Sequence, residues 1–118
     1  MIQIKRIYEK PEKRDGARIL VDRLWPRGIS KKTSGIDLWL KDAAPSPELR
    51  VWFSHDPDRF AEFKKRYTNE LKRKTNALKT IKQLEKKQRL ATLLYAAKDL
   101  KCNHAIVLRD YLKKAAFR

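Results

Sequence analysis

The run RLATLLYAA, Arg89 to Ala97, constrains the fold more than any other stretch of the chain. It is apolar for the length of one strand, and a helical pattern lies on either side of it. Helices between strands imply parallel pairing, because a parallel strand can be reached only by a crossover connection. The run is therefore expected at the centre of a helix-covered sheet.

Two further strands precede it. Ile2, Ile4 and the pair Ile7 and Tyr8 open the chain in strand alternation, and ARILVD, Ala17 to Asp22, reads as a short strand buried on both faces. IDLWLKD, Ile36 to Asp42, alternates more weakly and could be a third strand or a helical turn, with strand preferred. Ser46, Pro47 and Glu48 mark a helix start, with a side-chain cap, a proline that loses nothing at the first position and an acid near the positive dipole end. That helix is expected to end near Ser54. Asp56, Pro57 and Asp58 repeat the signal, and Phe60, Phe63, Tyr67 and Leu71 then recur along one helical face. A break near Thr75 and Asn76 separates this helix from one marked by Leu78, Ile81 and Leu84. Asn103 can cap a last helix from His104 to about Ala116, with Ala105, Leu108, Leu112 and Ala115 inward. The reading is a single α/β domain over residues 1–118, a mostly parallel sheet of about four strands covered by helices.

Composition narrows the function classes. A chain of 118 residues suits one small domain, and its 42% hydrophobic content is too high for disorder. MIQIKRIY lacks the charged and apolar regions of a secretory signal, and no apolar run approaches a membrane span, so a soluble, cytoplasmic protein is expected. The single cysteine, Cys102, cannot form an internal disulfide and is read as an inert thiol. Two histidines and one cysteine without ligand spacing argue against structural zinc, so no metal is expected. Three glycines cannot build the usual dinucleotide or S-adenosylmethionine cradle, and there is no P-loop, so no cofactor is expected either.

Charge is the outlying property. Thirty basic against 14 acidic residues give +16, where a small domain needs roughly 2 to 8 for solubility. Polyanions should adhere to such a chain at low salt regardless of their sequence. Lys64, Lys65, Lys72, Arg73, Lys79, Lys82, Lys86 and Arg89 supply a basic helical face that could meet nucleic acid, or could be only solvated.

Two segments could carry chemistry. In DRLWPRG, Asp22 to Gly28, Pro26 fixes its own φ and extends Trp25, while Gly28 suits the last position of a type I turn. Arg27 is then carried at the tip, and Arg23 projects from the strand end toward the same side. Two guanidiniums suit capture of phosphate or carboxylate, with Asp22 as counter-ion; the alternative is a structural salt-bridge cluster that locks the loop. The second segment is YAAKDLKCNHA, beyond the expected central strand. Ligands of open α/β sheets bind beyond the carboxyl ends of strands, where a helix presents free N–H groups. Asn103 and His104 occupy that place, and His104 could serve as a hydrogen-bonding or proton-transfer group. His55 reads as a capping or packing residue. Lys41, Asp42, Lys98 and Asp99 are weaker candidates in loops.

VDRLWPRG, WLKDAAPSPELRVWF and the terminal TLLYAAKD with NHA together resemble the YeaO-like branch of the bacterial domain-of-unknown-function family 488. The resemblance spans nearly the whole chain in order, and it implies a compact α/β domain while assigning no reaction. Longer relatives carry a Cys-His-Arg triplet after the corresponding strand. Asn103, His104 and Ala105 stand in its place here, so only the histidine carries over.

The expected function is binding of a small anionic ligand such as a nucleotide or phosphorylated metabolite, with its processing left open. Arg23 and Arg27 would hold the anion, Asp22 would orient an arginine, and Asn103 and His104 would meet the ligand at the helix start. A nucleic-acid module using the basic face, and a non-catalytic scaffold, are the alternatives.

Overall fold

The computed structural model describes residues 1–114. Strands β1 (Ile2–Arg6), β2 (Ala17–Leu20), β3 (Leu38–Trp39) and β4 (Ala91–Tyr95) form one parallel sheet in the order β1-β4-β2-β3. β4 is inserted between β1 and β2, and all five of its residues are buried, as its apolar run requires. Helix α1 (Pro47–Phe53) starts on Ser46, whose Oγ accepts the Leu49 N–H at 3.2 Å. Asp56 accepts the Asp58 N–H and opens a 3-10 turn, Pro57–Arg59, that runs into α2 (Phe60–Leu71). Phe63, Tyr67 and Leu71 are buried there on the predicted face. Helix α3 (Thr75–Gln88) follows the expected break and ends on Arg89, which adopts a left-handed φ of 66° without being glycine. In α4 (His104–Lys114), Ala105, Leu108 and Leu112 point inward; Ala115 and the expected end near Ala116 lie outside the described residues.

The helices gather on one face of the sheet. Ala17, Ile19, Val21, Ala91, Leu93 and Tyr95 join Phe53, Phe63, Tyr67, Leu78, Ile81 and Leu108 in the larger core cluster. The alternate positions Leu20 and Leu94 belong to a second cluster with Ile7, closed by Trp25, Ile29, Ile36 and Trp39 from the β2–β3 loop. β2 is buried on both faces as predicted, yet its second cover is a loop.

That loop face has a polar half that sequence reading did not anticipate. Arg18 is 5% exposed and Asp15 2% exposed, with a 2.5 Å contact between them. Arg18 also donates to Gly35 O and Ser34 O, while Lys5 Nζ lies 3.2 Å from both Asp15 oxygens. A buried guanidinium survives only when fully paired, and here its partners come from the β1–β2 and β2–β3 connections. Gly16, just before β2, has φ 63°, and a Cβ there would lie 2.2 Å from Leu90 O, so glycine is needed for space as well as conformation.

The third strand is much shorter than predicted. Of Ile36 to Asp42 only Leu38 and Trp39 pair with β2, and Lys41–Ala43 form a 3-10 turn. The chain must turn there to reach the buried Ala43, Ala44 and Pro45, whose carbonyls need donors once they leave the sheet. Tyr67 Oη donates to Ala43 O, Lys74 Nζ to Ala44 O at 2.5 Å, and Arg23 to Ala44 O and Pro45 O.

Candidate functional site

Beyond the carboxyl ends of β1, β2 and β4 lies a cavity of about 670 Å³. The segment after β2 contributes Asp22, Arg23, Trp25, Pro26 and Arg27; the segment after β4 contributes Ala96 to Asp99 and then Asn103 and His104. The two segments singled out in the sequence therefore meet in one site. The remaining wall is Ala44, Pro45, Phe53 and Phe63, with Arg50 and His55 at its edge and Tyr8 arriving from β1.

At the floor, a carboxylate and an imidazole link three elements. Asp22 Oδ2 accepts the Ala96 N–H at 3.0 Å, tying the end of β2 to the end of β4. His104 Nε2 lies 3.1 Å from both Val21 O and Asp22 Oδ1. Both neighbours are acceptors, so Nε2 carries the hydrogen and Nδ1 is the ring's acceptor when neutral. The hydrogen is directed to Val21 O; Asp22 Oδ1 lies equally near the ring nitrogen but receives no hydrogen bond from the described residues. The expectation that Asp22 would orient an arginine is therefore corrected, since its partners are His104 and a backbone amide. The Tyr67 ring meets the imidazole edge-on at 6.3 Å. Burial holds the Tyr67 phenol well above its ordinary range, so it stays a neutral donor to Ala43 O.

The DRLWPRG loop is held at several points. Trp25 Nε1 donates to Ile29 O at 2.8 Å, Trp39 Nε1 to Asp22 O at 2.8 Å, and the two indoles meet edge to face at 5.2 Å. Tyr8 Oη donates to Arg27 O at 3.0 Å. Gly28 has φ 76°, and a Cβ there would meet nothing within 4 Å, so glycine serves the backbone conformation alone.

The two loop arginines differ in freedom. Arg23 is half-buried, and its Nε and one Nη donate to the carbonyls of Pro45 and Ala44. Arg27 is exposed at the tip, and its guanidinium has no partner among the described residues. Asn103 is 1% exposed with its amide occupied: Oδ1 caps Ile106 N at 3.0 Å and Nδ2 donates to Asp99 O at 2.9 Å. Asp99 Oδ1 accepts the Lys101 and Cys102 amides, which hold its carboxyl below the usual range.

Around the cavity Arg23, Arg27, Arg50 and Lys98 are cationic; of its carboxylates, Asp99 accepts two local amides through Oδ1, while Asp22 accepts the Ala96 amide through Oδ2 and its Oδ1 has no donor among the described residues. Sequence reading missed Arg50 and Tyr8, because neither stands in the two segments singled out for chemistry and only the packing of α1 and the end of β1 brings them there. His55, exposed with φ 56°, lines the cavity and lies 6.2 Å from the Phe53 ring. Lys41 instead covers Trp39 at 4.1 Å, and neither it nor Asp42 borders the cavity. No group of metal-ligating side chains occurs among the described residues, and none of their helices is long and apolar enough to cross a membrane.

The family profile DUF488-N3i, described as "Inactive DUF488-N3 subclade", matches residues 1–118. The chain belongs to this family. It is 47% identical over 112 residues to the uncharacterized protein YeaO of Escherichia coli (strain K12), covering 95% of this chain and 96% of that one. It is 40% identical over 111 residues to the uncharacterized protein Rv3073c of Mycobacterium tuberculosis (strain H37Rv), covering 94% and 92%. No solved structure gives a significant match.

Proposed function

We propose that the cavity at the carboxyl end of the sheet binds a small anionic ligand, a nucleotide or phosphorylated metabolite, and holds it without turning it over. The observation that carries this reading is the shared cavity: Arg27 and His104, from distant parts of the chain, border the same volume of about 670 Å³. Arg27 supplies a free guanidinium suited to bidentate capture of phosphate, Arg23 a partly committed one behind it, and Arg50 and Lys98 a cationic rim. His104 and Ala105 open α4; Asn103 Oδ1 caps the Ile106 amide, and the amides ahead of it at the helix start have no intrahelical acceptor, which would favour an anion placed there.

Binding is favoured over turnover on two grounds. The Nε2 hydrogen of His104 is committed to Val21 O and Asp22 holds Ala96, so both groups are employed in joining strand ends. The family is itself described as an inactive subclade, and Ala105 stands where longer relatives have arginine.

A thermal-shift screen of nucleotides and phosphorylated metabolites tests the reading. A ligand at one hundred times its Kd should stabilise the wild type by about 2.7 kcal/mol. Arg27→Ala should lose most of that shift while keeping its ligand-free Tm. An equal shift in the variant, or no stabilising ligand of this class, refutes the proposal.

A further inference from the structure

The net charge of +16 is unevenly used. Between Phe60 and Gln88 there are three carboxylates, and each is engaged. Glu70 accepts the Ser46 N–H and Oγ–H, Glu85 holds the amino terminus and Lys82, and Glu62 pairs with Arg66 at 3.0 Å. Lys74 is also withdrawn, with its Nζ on Ala44 O. On α2 and its C-terminal turn this leaves Lys64, Lys65, Lys72 and Arg73 exposed without a carboxylate partner among the described residues. On α3 and its end it leaves Lys79, Lys86, Lys87 and Arg89 in the same condition. Lys65 and Lys72, like Lys79 and Lys86, are seven residues apart, so each pair lies on one side of its helix about 10.5 Å apart. Those sides face away from the buried Phe63, Tyr67, Leu71, Leu78 and Ile81.

We propose that the outward sides of α2 and α3 bind the sugar–phosphate backbone of double-stranded nucleic acid without reading its sequence. The chemistry of the surface selects that partner among polyanions. Among the described residues the large exposed hydrophobic ones are Met1, Tyr8, Leu24, Val51 and Leu100, none of them on α2 or α3, so these helix sides have nothing to insert into a bilayer. Phe60, Phe63 and Tyr67 pack into the core, so no aromatic platform is offered to the bases of a single strand. Unpaired cations interleaved with Asn69, Asn76, Thr80 and Gln83 match a lattice of phosphates, which positions a protein but carries no sequence information.

The test is fluorescence anisotropy of the full chain with a DNA duplex and an RNA duplex of about two helical turns, over a series of salt concentrations. The expected result is binding to both duplexes with log Kd linear in log salt. Lys65→Ala/Lys72→Ala and Lys79→Ala/Lys86→Ala should each lower the slope by about 2. All four lysines are exposed and alanine favours helix, so unchanged far-UV circular dichroism certifies each variant. Lys31→Ala/Lys32→Ala removes the same charge from the loop on the opposite face and should leave the slope as in wild type. Arg27→Ala should also leave it unchanged, which separates this surface from the cavity. An equal loss in the Lys31/Lys32 variant would make net charge the cause and overturn the proposal. Salt-independent binding, or tighter binding to single strands, anionic vesicles or an acidic polypeptide than to duplexes, would also overturn it.

Discussion

The two faces of the sheet are closed by different physics. On one, Ile19, Leu93 and their neighbours meet helices whose apolar residues recur every three or four positions. On the other, Leu20 and Leu94 meet a loop fixed by two tryptophans, and the polar half beside them is sealed by the Asp15–Arg18–Lys5 network. The helix face draws stability from many interchangeable contacts. The loop face depends on a few specific partners, so single substitutions there should act more abruptly and reach the cavity, because the same loop carries Arg27.

The largest expected effect comes from cutting the buried ion network. Arg18→Ala strands Asp15 without its closest charge partner and removes donors from Gly35 O and Ser34 O, so urea denaturation should show a loss of about 4 kcal/mol. A loss under about 1 kcal/mol would mean that the loop face is not held by this network. The same network sets an acid dependence. Burial pushes the Asp15 carboxyl up, but the Glu12 amide, Lys5 and Arg18 outweigh it, and the net position is below the ordinary range. A depressed folded-state pKa gives stability that is complete above about pH 4 and lost as pH falls through the folded value. Wild type should therefore weaken in urea below about pH 4, and the Arg18→Ala variant, which lacks one stabilising cation, should respond less steeply.

Next in size is Leu108→Ala, which opens a cavity in the fully buried helix face and should cost about 3 kcal/mol. Its anion-induced thermal shift should match wild type, since Leu108 does not border the cavity. The smallest effect is expected at Gly28. A Cβ has room there, so Gly28→Ala pays only for a left-handed φ, about 1 kcal/mol. Because it distorts the turn that presents Arg27, it should reduce the ligand shift more than its stability loss suggests. A ligand response unchanged in Gly28→Ala would separate loop rigidity from binding.

The elements that were legible in the sequence are those whose signal is local. Ser46 with Pro47, Asp56 with Pro57, and Asn103 each announced a helix through hydrogen bonds made within three residues. The buried run of β4 announced a central strand, and the candidate site was legible as two segments at strand ends. What stayed hidden depends on distant partners. Arg18 looked like one charged residue in an apolar strand until Asp15, Ser34 and Gly35 closed around it. Asp22 pointed by proximity to Arg23, yet the sheet order set it beside Ala96 and His104 instead.

By itself, then, the sequence determined the helices and the strands β1, β2 and β4, the central place of β4, the two segments that could form a site, and the excess of positive charge. These follow from periodicity, capping and composition, which operate within a few residues. Only the tertiary structure decided that the helices share one face, that a tryptophan-pinned loop seals the other, that Arg27 and His104 border one cavity, and which carboxylates are spent. Each of these is a pairing across the sheet, and its energy depends on desolvating partners that the chain order keeps far apart.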